Sequence, residues 1–135
     1  MKTRLIAIAA AIAIAGPVFA EGDAAKGESE FKKCKACHAI VADDGTEIVK
    51  GGKTGPNLYG VVGRAVATVP DFKYGDGILA VGAAGMVWDE ALLAEYMKDP
   101  TVFIDTHGGS GKSKMTFKLA KHGEDVAAYL ASVAK

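Results

Sequence analysis

The sequence is poor in the residues that usually build the core of a small protein. Only 7% of its 135 residues are aromatic, and alanine supplies much of the hydrophobic fraction of 50%. A core built from protein alone would therefore be modest. Cysteine occurs only twice, and His107 and His122 lack the spacing of zinc-knuckle ligands, so a zinc site with four such ligands is not expected.

No stretch of the sequence shows the alternation of polar and apolar residues that is typical of a β-strand. Helical patterns occur instead at residues 24 to about 33, from Asp89 to the residues before Pro100, and from Glu124 onward. Between them, residues 43–59 are predicted to form a loop, with at most a short helical turn later, at residues 78–81. The fold class is therefore all-α, with three main helices and long loops.

Residues 1–20 have the pattern of a cleaved secretory signal. Lys2 and Arg4 provide a positive start, residues 5–15 are uninterrupted and apolar, and small residues precede Glu21. A retained membrane anchor is the alternative, but the run is shorter than the ~20 apolar residues that a membrane span needs. We predict that the leader is removed and that residues 21–135 form a single exported domain.

The balance of charge gives no indication of a nucleic-acid partner. The chain has 16 basic and 16 acidic residues, and loss of Lys2 and Arg4 with the leader leaves 14 basic residues and a net charge near −2. The lysines nevertheless cluster, around residues 32–53 and residues 112–121. A solvated surface of mixed charge is the simplest interpretation of such clusters.

The motif with the most specific chemistry is Cys34-Lys35-Ala36-Cys37-His38. In c-type haem attachment, two cysteines with this spacing bond to the porphyrin vinyl groups, and the histidine that follows binds the iron. A thioredoxin-like dithiol is an alternative, but nothing strand-like precedes Cys34. A structural disulfide is another, but it gives no reason for His38. We therefore predict one covalent haem c, attached through Cys34 and Cys37.

The opposite face of the iron calls for a second ligand. The candidates besides lysines are Met86, Met97, Met115, His107 and His122. Met97 lies on an apolar helix face and Met86 at the entry to the same helix, so both are predicted to pack in the core. The two histidines lie in polar stretches and are predicted at the surface. Met115 lies on an irregular segment from which it can turn toward a cofactor, and a thioether opposite histidine raises the redox potential.

In their order and approximate spacing, the motifs resemble those of class I cytochromes c over essentially the whole mature chain. After the haem motif the matching segments are residues 54–58, 63–64 and 72–74, Trp88, residues 93–100 and 114–117, and the helix with Tyr129. The cytochrome c2 group of purple photosynthetic bacteria is the most similar, because of residues 43–53 and the long loop before Met115. The resemblance implies the cytochrome c fold, in which the first helix crosses the last at Gly27.

The resemblance also implies individual roles. His38 and Met115 would be the axial ligands of the iron, and the carbonyl of Pro56 would accept a hydrogen bond from the far ring nitrogen of His38. Tyr96 matches a tyrosine that donates to the methionine sulfur. The residues that match those bonded to the inner haem propionate are Arg64, Tyr74 and Trp88.

The function implied by the resemblance is that of a periplasmic one-electron carrier, which is not an enzyme. It would carry electrons from a cytochrome bc complex to a photosynthetic reaction centre or a terminal oxidase, as a monomer that is not inserted in the membrane. In this family a ring of lysines borders the exposed haem edge and steers redox partners. The lysines in the corresponding segments are Lys32, Lys35, Lys53, Lys112, Lys114, Lys118 and Lys121.

Two functions from other classes stay open at this point. A haem enzyme or gas sensor would have Met115 absent from the iron or easily displaced. A thiol-disulfide oxidoreductase would use Cys34 and Cys37 as free thiols.

Overall fold

The structure is a computed structural model that describes residues 22–134. Within that range the order of elements is α1 (Ala24–Glu30), β1 (Ile40–Val41), β2 (Glu47–Val49), α2 (Asp76–Ala83), α3 (Glu90–Lys98), α4 (Pro100–Thr106) and α5 (Gly123–Val133). A 3-10 turn, Phe31–Lys33, continues α1 to the end that the sequence predicts. The all-α fold class is confirmed, whereas the predicted leader lies outside the described residues.

Helices α1 and α5 cross at very close range. A Cβ atom added at Gly27 of α1 would overlap the carbonyl oxygen of Asp125 and would lie 2.8 Å from Cβ of Tyr129 in α5. The ring of Phe31 then packs on that of Tyr129, with centroids 5.7 Å apart. The predicted crossing at Gly27 is therefore present, and only a residue without a side chain permits it.

Helices α3 and α4 meet at Asp99 and Pro100. Asp99 ends α3, and its side chain also caps α4 by accepting a hydrogen bond of 3.1 Å from Val102 N. The prediction that Pro100 ends a helix is right for α3, but it overlooked α4. Proline has no N–H, so it fits the first position of a new helix as well as it stops an old one.

A short antiparallel hairpin pairs β1 with β2, with Ile40 opposite Val49. The expectation that the chain has no strand is wrong here, as is the prediction of a continuous loop over residues 43–59. Strands of two and three residues are too short to display an alternating pattern. Helix α2 is also longer than the predicted turn at residues 78–81.

The core joins the helices to residues from the long loops. Phe103 of α4 stacks on Trp88 at 5.4 Å and meets Tyr96 edge-on at 5.3 Å. Met97 is buried in this cluster and Met86 packs against it, as predicted. Over residues 22–134, no helix has both the length and the apolar character that crossing a membrane requires.

Candidate cofactor site

A cavity of about 580 Å³ lies between the helices and the long loops. Its walls are mainly apolar, with side chains such as Leu58, Ile78 and Leu93. All of the predicted site residues line it, although they come from segments far apart in sequence, namely Cys34, Cys37, His38, Pro56, Arg64, Tyr74, Trp88, Tyr96 and Met115.

One wall of the cavity is the turn that carries the cysteine motif. The carbonyl of Cys34 accepts hydrogen bonds from Cys37 N at 3.1 Å and from His38 N at 2.9 Å. This helical turn brings Cys34 and His38 to the same side of the chain. Behind it, Gly55 N donates to the carbonyl of Cys37 at 2.7 Å, so the following loop folds back against the motif.

The ring of His38 is oriented by Pro56. Nδ1 of His38 lies 2.8 Å from the carbonyl oxygen of Pro56, and because a carbonyl can only accept, Nδ1 carries the hydrogen. Burial lowers the pKa of His38, although the bond to Pro56 acts against the shift, so the ring is neutral at pH 7. A neutral imidazole with its proton on Nδ1 leaves Nε2 available as a metal ligand.

Gly55 lies so close to the His38 ring that no side chain fits between them. A Cβ atom at Gly55 would lie 2.3 Å from Cε1 and 2.7 Å from Nδ1 of His38. Glycine at this position therefore lets the loop close over the face of the imidazole.

Arg64 brings a positive charge to the wall of the cavity. Its guanidinium donates to the carbonyl oxygens of Tyr59 at 3.2 Å and Asn57 at 3.1 Å. No acidic side chain in the described part of the chain forms an ion pair with it. Burial lowers the pKa of Arg64, but arginine stays charged in proteins, so this site favours an anionic group of a ligand.

Tyr74 and Trp88 line the cavity in different settings. The hydroxyl oxygen of Tyr74 accepts a hydrogen bond of 3.0 Å from Val69 N, which fixes the phenol ring. Trp88 is buried and packs against the rings of both Tyr96 and Phe103. Both side chains have polar atoms suited to a carboxylate, and bonding to a propionate stays a prediction.

Met115 lies on another wall, held by its own segment. Its backbone N–H donates to the hydroxyl of Ser113 at 3.1 Å, and that hydroxyl lies 3.4 Å from the hydroxyl of Tyr96. Burial raises the pKa of Tyr96, which keeps the phenol protonated and able to donate. Whether Tyr96 donates to the sulfur of Met115 stays a prediction.

Sequence reasoning missed two residues that support this segment. Ser113 is buried, and its backbone N–H donates to the hydroxyl of Thr101 in α4 at 3.0 Å. Nothing in the sequence marks either residue, because they are 12 positions apart and Thr101 lies in α4, a helix that was not predicted.

Neither His107 nor His122 lines the cavity. His107 lies partly exposed at the surface, where its ring packs on Phe103 at 4.2 Å and its Nε2 lies 2.8 Å from a carboxylate oxygen of Glu95. His122 also lies at the surface, where it pairs with Asp125 at 3.1 Å. Of the three histidines, only His38 therefore shares the cavity with Met115.

The thiols do not have the character of a redox dithiol. Burial raises the pKa of Cys34 to about 11, and the neighbouring Cys37 adds to the shift. Catalytic dithiols need the opposite, a thiolate stabilised near neutral pH. Among the described residues, no three His, Cys, Asp or Glu side chains are grouped closely enough to hold a metal ion, so a zinc site is not supported either.

Four exposed lysines are among the residues that line the cavity. All seven predicted lysines are exposed. Of these seven, Lys112 and Lys114 line the cavity. Lys33 and Lys73 line it as well, although they were not among the lysines predicted from the sequence. Lys114 Nζ donates to the backbone carbonyl of Lys73 at 3.4 Å, so two segments remote in sequence meet here.

These residues fit a covalently bound haem. Two thiols and a neutral imidazole stand on one turn, a thioether lies on another wall, the interior is apolar, and an arginine without an acidic partner can meet a propionate.

Comparison with known proteins gives the same answer. No protein-family model matches the chain. Among curated proteins, it is 63% identical to cytochrome c2 of Rhodobacter capsulatus over the full length of both chains. It is 59% identical to cytochrome c-550 of Paracoccus versutus, over 97% of this chain and 88% of that protein.

Solved structures agree in fold. The structure of cytochrome c2 from Rhodobacter capsulatus has a TM-score of 0.82 at 64% identity, and the match covers 84% of this chain and all of that one. Ferric cytochrome c-550 from Paracoccus versutus also has a TM-score of 0.82, at 60% identity, covering 85% of this chain and 100% of that one.

The predicted family, fold and cofactor are thereby confirmed. The cofactor is haem c, attached through Cys34 and Cys37. With its motif, its cavity and its relatives in agreement, the chain belongs to the class I c-type cytochromes of the cytochrome c2 group, which are electron-transfer proteins and not enzymes.

Proposed function

We propose that the protein is a periplasmic carrier that moves one electron at a time from a cytochrome bc complex to a photosynthetic reaction centre or a terminal oxidase. The observation that supports this most strongly is a single cavity with His38 on one wall, Met115 on another and lysines at its opening. Such a site would provide two axial ligands and a charged surface for short-lived contacts.

His38 and Met115 are the proposed axial ligands. The haem supplies a reversible change between iron(II) and iron(III). The carbonyl of Pro56 accepts a hydrogen bond from Nδ1 of His38 and so leaves Nε2 on the opposite side of the ring. The hydroxyl of Ser113 orients the backbone of Met115. With His38 and Met115 both bound to the iron, neither oxygen nor a substrate would find an open site, and the thioether would favour the reduced state.

The polar residues of the cavity are proposed to hold the propionates and the sulfur. Arg64, Tyr74 and Trp88 would bond the inner propionate, which offsets the charge that burial would otherwise make costly. Tyr96 would donate to the sulfur of Met115. Each of these side chains is held by the protein itself, so little reorganisation accompanies the change of iron oxidation state.

The exposed lysines are proposed to orient the protein toward partners of opposite charge. Lys112 and Lys114 lie at the opening of the cavity, where a partner would approach closest to the haem edge. Long-range attraction raises the rate of encounter at low salt, and a small interface lets the partners separate.

The predicted leader, residues 1–20, supports export. Attachment of haem to a Cys-x-x-Cys-His motif outside the cytoplasm is consistent with such a leader, and the periplasm is the compartment in which both named partners could be reached. A monomer is proposed as well, because a free surface is needed for alternating partners.

The axial ligands are tested by the visible spectrum of the mature protein and of its size-matched variant Met115→Leu. We expect the parent protein to show a weak far-red sulfur-to-iron(III) band and no response of the reduced form to carbon monoxide. The variant should lose the band and bind carbon monoxide promptly. Prompt binding by the parent protein would refute the carrier and favour the sensor or enzyme.

The docking surface is tested by the rate of reduction by a purified cytochrome bc complex as ionic strength rises. We expect a steep fall for the parent protein and a slower rate with a flatter profile for the double variant Lys112→Gln/Lys114→Gln. Lys26→Gln is the matched control, since Lys26 is exposed but does not line the cavity. A flat profile for the parent protein would contradict electrostatic steering.

A further inference from the structure

The segment that carries Met115 has no regular structure of its own. It follows α4 and runs to α5 over residues 107–122, and its residues lie in turns, bends and irregular chain. A few contacts with neighbouring elements must therefore hold it in place. Those contacts determine how often Met115 can leave the cavity.

The first contact lies two residues before Met115. Ser113 N donates to the hydroxyl of Thr101 at 3.0 Å, in a half-buried position. The Ser113 hydroxyl then accepts from Met115 N at 3.1 Å. A chain of hydrogen bonds thus runs from the first turn of α4 to the backbone of Met115.

The second contact lies three residues after Met115. Lys118 Nζ pairs with a carboxylate oxygen of Asp99 at 3.0 Å. The other carboxylate oxygen of Asp99 caps α4 by accepting from Val102 N. One carboxylate therefore starts α4 and binds the far side of the Met115 segment.

Beyond that pair, the segment is tied to α3. Leu119 N donates to the carbonyl of Met97 at 2.7 Å, and the Leu119 side chain is buried. The stretch between Ser113 and Leu119 is thus a short span with both ends fastened, and the first turn of α4 holds it from both sides.

We infer that the first turn of α4, residues 99–102, is the anchor that controls the opening of the Met115 segment, with Thr101 as its principal positioning residue. The inference rests on the proposed ligation of the iron by Met115. Thr101 does not line the cofactor cavity, and it acts through Ser113 on the residue that does.

Opening of the segment has a direct chemical consequence in the oxidised protein. When Met115 leaves, an added neutral ligand such as imidazole can bond to iron(III) through its ring nitrogen, while the sulfur–iron bond breaks. No electron or proton is exchanged in this substitution. The rate at low imidazole concentration therefore reports how often the segment opens.

The test compares two threonines of the same helix. Thr101→Val removes the hydroxyl that holds Ser113 and preserves the shape of the side chain. Thr106→Val is the matched control, because the Thr106 hydroxyl donates only to the carbonyl of Val102 within α4, at 2.8 Å. We measure the rate of imidazole binding to the ferric holoprotein by rapid mixing.

We expect Thr101→Val to bind imidazole about fivefold faster, which is the effect of about 1 kcal/mol, the usual contribution of one such hydrogen bond. Thr101→Ser, which keeps a hydroxyl, should return toward the parent rate. Thr106→Val should match the parent protein within a factor of two. The free energy of unfolding, measured by guanidinium denaturation, should fall by no more than about 1 kcal/mol in Thr101→Val, since a larger loss would indicate general destabilisation.

A second variant tests the other side of the anchor. Lys118→Gln should raise the imidazole rate by about twofold or less, because the pair with Asp99 is largely exposed. That difference should vanish at high salt, whereas the effect of Thr101→Val should persist. Asp99 itself is left unchanged, since its loss would also uncap α4.

Two other outcomes have distinct meanings. Equal imidazole rates in Thr101→Val, Thr106→Val and the parent protein, all with the far-red band present, would overturn the anchor and leave the proposed carrier intact. Absence of that band from the parent protein would overturn the ligation by Met115 on which the anchor depends.

Discussion

The crossing of α1 and α5 and the irregular walls of the cofactor cavity are built on different principles. At the crossing, the two helix backbones approach each other directly, with Gly27 against the backbone carbonyl of Asp125 and Cβ of Tyr129. At the cavity, residues 51–58 and 107–122 have almost no regular structure and are fastened by single hydrogen bonds. The crossing depends mainly on protein packing, whereas the walls depend on a few polar contacts and on the cofactor.

This contrast explains how a chain with few aromatic residues forms a defined site. Close helix packing supplies a rigid base, and packed interiors tolerate little change of volume. The walls can then be irregular, which lets side chains from remote segments meet around one ligand. Three substitutions probe the difference.

The largest effect is expected at the crossing, from Gly27→Ala. The added methyl group would overlap the carbonyl oxygen of Asp125, and a helix backbone cannot move aside as a flexible side chain can. We expect a loss of about 3 kcal/mol in the free energy of unfolding, measured by guanidinium denaturation of the holoprotein.

Ser29→Ala is the control for that substitution, because Ser29 is exposed on the same helix. It should change stability by less than about 0.5 kcal/mol. A similarly small loss for Gly27→Ala would mean that the helices can separate slightly at no great cost, and the crossing would not be the rigid base.

A smaller and more local effect is expected at the cavity wall, from Gly55→Ala. The new methyl group would lie 2.3 Å from Cε1 of His38, so the ring must turn away from Pro56. We expect a loss of about 2 kcal/mol in stability and, unlike at Gly27, an altered redox potential and haem spectrum. Thr46→Ala, at an exposed position that does not line the cavity, should leave the redox potential and the haem spectrum unchanged. An unaltered spectrum in Gly55→Ala would show that the loop moves and the His38 ring stays in place.

The smallest effect is expected at the edge of the crossing, where Asp125 accepts a hydrogen bond of 2.7 Å from Asp23 N. That bond, helped by His122 and Lys26, lowers the pKa of Asp125 below its ordinary value of 3.8. The carboxylate therefore stabilises the folded state fully above its ordinary pKa, and this contribution is lost as pH falls below about 4 and through the lowered value.

Asp125→Asn tests that dependence on pH. The variant should be less stable than the parent protein at pH 7, and the difference should shrink as pH falls below about 4, when thermal unfolding is followed at each pH. Asp43→Asn, at an exposed position in the hairpin turn, should show no such trend. A difference that stays constant with pH would mean that the charge of Asp125 contributes nothing.

The sequence predicted the helices with long apolar patterns, and the structure confirms them. In α5, Val126, Tyr129 and Leu130 are buried on one face, because helical spacing alone brings them there. Helix α4 was not predicted, because a proline such as Pro100 can either end a helix or begin one. The hairpin was not predicted, because strands of two or three residues are too short to show an alternating pattern.

The candidate site also contains residues that the sequence predicted and residues that it did not. The cysteine motif is local, so its chemistry could be predicted from five consecutive residues. The contribution of Thr101 could not, because it depends on a hydrogen bond across a turn to Ser113. The partly buried position of His107 against Phe103 and Glu95 escaped prediction for the same reason.

By itself, the sequence determined which groups could attach and ligate the haem, because two thiols and an imidazole on one turn need only local geometry to act together. Only the tertiary structure decided how those groups are held. Pro56, 18 residues away, sets the tautomer of His38, and α4 holds the Met115 segment. Hydrogen bonds between distant segments depend on where the whole chain packs, and no local pattern records them.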